Sequence, residues 1–150
     1  MITTNAIVHC VRRHELHELL VNTGLPITFL ESQFNADGDL GPKAIIFLLD
    51  YLHVTIVPVA RPNHDWNIAP TDTIIIDVLI PPDENDLKQD KAHVIESMGV
   101  GEVELIPSGI SVRRVVTLVG GVSASNIISQ LRLVCLSAHK LTEEGVDDED

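Results

Sequence analysis

Residues 72–80, Asp-Thr-Ile-Ile-Ile-Asp-Val-Leu-Ile, constrain this chain more than any other stretch. Branched aliphatic side chains lose rotamer freedom in a helix and fit a pleated surface. Pro81-Pro82 closes the run at once, because proline cannot continue a central ladder. The stretch therefore reads as a buried strand. So apolar a strand needs partners on its edges and a layer to pack against.

The rest of the chain supplies both. Residues 3–12 and 26–31 are rich in branched and apolar side chains and read as strands. Between them, residues 13–22 place Leu16, Leu19 and Leu20 on one helical face, and Gly24 follows as a stop. From Pro42, the spacing of Ile45, Ile46, Leu48, Leu49 and Leu52 predicts a helix over 42–52, followed by a strand over 53–59. Asp83 can cap a helix running to about Met98, with Leu87, Val94, Ile95 and Met98 turned inward. Residues 102–106 and 110–119 read as strands joined through Pro107-Ser108-Gly109. Ser123 suits the cap of a helix to about Leu131, and residues 132–138 read as a last strand.

This order predicts an α/β chain, with α+β as the alternative. The expected architecture is a single-domain mixed β-sheet carrying three to four helices mainly on one face. The second half follows the ferredoxin-like βαββαβ order. The 150 residues are enough for one domain, expected over 1–141. Residues 142–150 read as an acidic, disordered tail, since 143–150 alone hold six of the acids.

Charge narrows the function classes. Twenty-two acidic against ten basic residues give a formal −12, of which the body keeps −6 once the six tail acids are set aside. Such a balance opposes general binding to nucleic-acid phosphates or to an anionic membrane. No apolar stretch reaches the roughly 18 residues that span a bilayer, and no secretory leader is evident. Cys10 and Cys135 sit in apolar runs, outside any CxxC pair, and read as two buried thiols. A cytoplasmic protein is expected.

Several constellations could carry chemistry. Arg12-Arg13 and Arg113-Arg114 spend four of the ten cations on two doublets. A planar guanidinium suits carboxylate or phosphate, and in a strand doublet one should face each side of the sheet. Gly120-Gly121 leading to Ser123 makes a turn able to aim backbone N–H groups at an anion. Arg12, Arg13, Arg113, Arg114, Gly120, Gly121 and Ser123 thus form the candidate anion-facing set, with ion pairing of the arginines to Glu102 and Glu104 as the plain structural reading. His14 and His17, three apart on one helix, are the candidate pair for a divalent metal, but HELHE lacks the i, i+4 spacing of HExxH. No other cofactor is implied. The loop Asn35–Asp39 has alternate oxygen donors but not the calcium-loop pattern, and reads as a turn. His64, Asp65 and Trp66, in a connection holding the sole tryptophan, are candidates for an interface or lid, or for a loop anchor.

No nucleophile elbow or other catalytic signature is present, so the chain reads as non-enzymatic. The leading expectation is a self-associating module that binds a small anionic metabolite or a partner protein. A structural subunit of a larger homo-oligomeric or viral assembly is the alternative. A metal-dependent hydrolase or nuclease using His14 and His17 is the third.

Overall fold

A computed structural model describes residues 5–30, 44–59, 65–66, 68–82 and 88–147. In chain order its elements are β1 (Ile7–Val8), α1 (Arg13–Val21), β2 (Ile27–Phe29), β3 (Ile45–Leu49), β4 (Leu52–Pro58), β5 (Thr73–Ile80), α2 (Lys88–Ser97), β6 (Glu102–Ile106), β7 (Gly109–Thr117), β8 (Val122–Ser123) and α3 (Ala124–Asp147). One six-stranded sheet has the order β2-β3-β4-β5-β7-β6, while β1 and β8 pair on their own. Each pairing is antiparallel, so the sheet is not mixed as expected, and the α+β form of the expected fold is the one observed. β5 and β6 run in the same direction on either side of β7, joined through α2, which is a split βαβ unit.

Three helices cover one face. Ile76 of β5 pairs with Arg114 of β7, and the Arg114 guanidinium reaches Gln130 of α3 and the Val100 carbonyl beyond α2. On the same face, Phe47 of β3 meets Phe29 of β2 at 5.9 Å between ring centroids, and His17 of α1 lies on Phe29 at 4.2 Å. Leu16, Leu19 and Leu20 of α1, Ile95 of α2, and Ile127, Leu131 and Val134 of α3 complete the core above Leu52, Val54, Ile56, Ile74, Val78 and Val112. No helix among the described residues is long and apolar enough to cross a membrane.

Two expected elements differ. Residues 44–52 are not helical: β3 and β4 form a hairpin in which Leu49 pairs with Leu52 across Asp50 and Tyr51. Asp50 takes φ 60°, a left-handed conformation that aspartate tolerates in tight turns. The apolar residues of β3 occupy both faces of the strand. That continuous run imitates a helical period, and pairing with the clean alternation of β4 decides for strand.

Residues 132–138 are not a strand but the middle of α3. Ile127, Leu131, Val134, Cys135, Ala138 and Leu141 fall at helical intervals, and all are buried. No glycine or proline interrupts them, so the helical period overrides the local β preference of Leu-Val-Cys-Leu. The backbone of α3 reaches Asp147, well into the acidic terminal segment.

Smaller corrections follow from packing. Of the expected strand 3–12, Ile7–Val8 enter a ladder and Val11 forms a single bridge to Thr71. α2 buries Ala92 and Ile95 but leaves Val94 and Met98 exposed, against expectation. Its expected start, with Asp83 and Leu87, lies outside the described residues, as does the loop Asn35–Asp39.

Trp66 is 1% exposed, and its indole Nε1 donates to the Val11 carbonyl at 2.9 Å. It anchors its loop to the junction of β1 and α1. Trp66→Ala should cost about 3–5 kcal/mol through the void it leaves. Trp66→Phe should cost nearer 1 kcal/mol through the unmet carbonyl. Urea unfolding followed by circular dichroism separates the two, and an alanine variant as stable as wild type would refute the anchoring role.

Candidate functional site

The face of the sheet opposite the helices is built by the alternate residues of the same strands. By register, one row across it is Leu48, His53, Leu79, Ser111 and Glu104. The next row is Ile46, Thr55, Asp77, Arg113 and Glu102, and a third holds Val57, Ile75 and Val115. No described helix lies over these rows. Ile46 and Ser111 are buried among their neighbours, most of the others are half-buried, and Val115 is 62% exposed.

Asp77 is the polar centre. Its Oδ1 accepts from the Ser111 hydroxyl at 2.8 Å, and its Oδ2 accepts from Arg113 Nε at 3.0 Å. The hydrogen bond to Asp77, and then its charge, hold the Arg113 guanidinium above its ordinary value, with smaller support from Glu104 and Glu102. Arg113 therefore stays charged and faces three carboxylates. A shallow concavity of about 190 Å³ opens here, lined by His53, Thr55, Asp77, Leu79, Ser111 and Arg113, with Ile106 at its edge.

This constellation is not a hydrolytic triad. Ser111 donates directly to the carboxylate. His53 and Ser111 flank Leu79 from opposite sides, two strand spacings or about 9–10 Å apart. A nucleophile–base hydrogen bond needs roughly 3 Å.

The arginine doublets go to different places. Arg113 and Arg114 face opposite sides of the sheet, as strand alternation requires. Arg114 is occupied beneath the helices, where Nε donates to Gln130 at 2.8 Å and Nη1 to Val100 O at 2.9 Å. Arg12 precedes α1, and its Nε donates to Ile68 O at 2.8 Å while Nη1 stands 3.8 Å from Glu15. Arg13 begins α1, and its Nε is buried without a hydrogen-bond partner.

Gly120 and Gly121 take φ 87° and 89° in the turn after β7. A Cβ on Gly121 would come within 2.9 Å of the His9 ring and of Ile7, so the close approach of the β1 segment demands glycine there. Ser123 caps α3, its hydroxyl accepting from Asn126 N at 3.2 Å. The structure thus divides the expected anion-facing set among the start of α1, the two sheet faces and the start of α3.

His17 stacks on Phe29, while His14 is exposed on α1. Among the described residues, no three His, Cys, Asp or Glu side chains cluster as metal ligands. His64 lies outside the described residues. The Asp65 carbonyl accepts from Ile68 N and Ala69 N, and Trp66 is buried, so Trp66 is the loop's anchor and not a surface lid. Cys10 is exposed, against the expectation of two buried thiols, because it lies past the end of β1, outside the six-stranded sheet. Cys135 is buried, and burial pushes its thiol up to about 12, which keeps it neutral and unreactive.

Sequence reading missed Asp77, Ser111, His53 and Thr55. One signal was present: a carboxylate inside Ile-Ile-Ile-Asp-Val-Leu-Ile must find a partner or face water.

Comparison with protein-family models, with curated proteins and with solved structures finds no match.

The two neighbouring arginines should differ in weight. Arg114→Ala removes two partly buried hydrogen bonds and should cost about 1–3 kcal/mol. Arg113 is 53% exposed, and its loss should cost under about 1 kcal/mol. Equal losses in urea unfolding would contradict the assignment of the two side chains to opposite faces.

Proposed function

We propose that the chain is a non-catalytic binding module that docks a protein partner on the face of its sheet that no described helix covers. The observation that carries this reading is the set of aliphatic residues on that face, which flank the polar row Thr55, Asp77 and Arg113. A solvated face of an antiparallel sheet ordinarily alternates to polar side chains. Here Leu48, Val57, Ile75, Leu79 and Val115 stand in its rows, and Val115 is largely exposed. Val57, Ile75 and Val115 are cross-strand neighbours, and apolar surface continuous in this way marks interaction sites.

Size and charge favour a protein over a small anionic metabolite. The concavity of about 190 Å³ is below the ~300–1,000 Å³ that encloses a small ligand. It suits one inserted side chain. Arg113, the cation on this face, is already engaged by Asp77 and flanked by Glu102 and Glu104, so an added anion meets net negative charge.

The reading is tested by affinity capture from cells that express the protein. The comparison uses wild type, Ile75→Gln/Val115→Gln on the uncovered face, and Val94→Gln on the exposed side of α2, each with its melting curve. Partners should be retained by wild type and by the α2 variant, and lost with the double variant. Undiminished recovery by a folded double variant would overturn the reading.

A further inference from the structure

Resting on that reading, we propose that the occupant of this face is a basic protein surface, with lysine or arginine side chains to one side of aliphatic ones. The face carries the aliphatic row Val57, Ile75 and Val115 and, across the polar row Thr55, Asp77 and Arg113, Leu79; along β6 it is acidic. Glu102 and Glu104 are exposed, and their register with Arg113 and Ser111 puts both on this face. Arg113 hydrogen-bonds Asp77, while neither glutamate has an ion pair among the described residues. Val103, between them, belongs to the opposite face, where it packs against the core.

The acids therefore form a one-sided border beside the apolar rows. Complementary charge at such a border selects partners and speeds their encounter, while the aliphatic side chains supply the buried apolar area. A second copy fits less well. Each copy carries −12, and stacking two such faces brings together borders of like sign. Anionic ligands, nucleic acid and anionic lipid meet the same repulsion. A basic occupant pairs with Glu102 and Glu104 and lays its apolar side chains on Ile75, Leu79 and Val115.

The test uses the full chain and three labelled amphipathic helical peptides, read by fluorescence anisotropy. The first has a leucine stripe flanked by lysines. The second keeps the leucines and replaces the lysines with glutamates. The third keeps the lysines and replaces the leucines with alanines. The lysine–leucine peptide should bind wild type best. Its affinity should fall about tenfold or more in Glu102→Lys/Glu104→Lys, and also on raising salt so that the Debye length drops from about 10 Å to about 3 Å. The glutamate peptide should prefer the charge-reversed variant.

If Ile75→Gln/Val115→Gln abolishes binding while charge reversal changes nothing, the face docks a partner but the basic occupant is wrong. Binding unaffected by the apolar double variant removes both the occupant and the docking face. Absence of binding by all three peptides overturns the basic occupant. So does sedimentation of the wild type as a dimer that the apolar double variant dissolves, which would assign the face to a second copy.

Discussion

The period-two alternation of β5 is the constraint on which the rest depends. Ile74, Ile76, Val78 and Ile80 are fully buried under the helices, while Ile75, Asp77 and Leu79 project to the other side. A slip of one residue would exchange the two sets. It would drive the Asp77 carboxylate into the core, away from Arg113 and Ser111, and an unpaired buried charge costs several kcal/mol. Asp77 thus does two things at once. Its bonds to Ser111 and Arg113 tie β5 to β7 in one register, and its charge decides which side of the sheet the helices take.

That division explains which features were legible in the sequence. β5, β6 and β7 could be read because their runs are closed by proline or glycine and their periods are unambiguous. α1 could be read because Leu16, Leu19 and Leu20 share one face and Gly24 follows. The separation of Arg113 from Arg114 also followed from alternation alone. β3 could not be read as a strand, since a run apolar on both sides carries no period. The second half of α3 was obscured because its buried stripe contains β-favouring residues. In both cases tertiary packing supplies the information that local preference lacks.

The candidate site was harder to reach from sequence. Glu102 and Glu104 were visible as neighbours of Arg113, and both do add to its field. Its hydrogen-bonded partner, Asp77, lies 36 positions away and becomes adjacent only through the β5–β7 ladder. The seven residues expected to share an anion scatter because the starts of α1 and α3 and the two faces of β7 project them in different directions. Gly121 and Ser123 already have complete local explanations, in the approach of His9 and in the cap of α3. What remains is a surface: a sheet face on which aliphatic residues flank the Asp77–Arg113 pair, bordered by acids on its edge strand. The same glutamates also make β6 a poor template for pairing with its own kind, because antiparallel self-pairing centred on the strand would oppose Glu104 to Glu104.

The central claim, that one face of the sheet is covered by helices and the other is open to an occupant, is tested most directly by paired thiol labelling at two adjacent positions. In a Cys10→Ser background, Val115→Cys and Val116→Cys are each exposed to a maleimide under native conditions. Val115 is on the uncovered face and Val116 is 1% exposed beneath the helices. The account predicts rapid labelling with Val115→Cys and labelling with Val116→Cys only after unfolding. Protection at both positions would show that the second face is already covered, and would contradict the account.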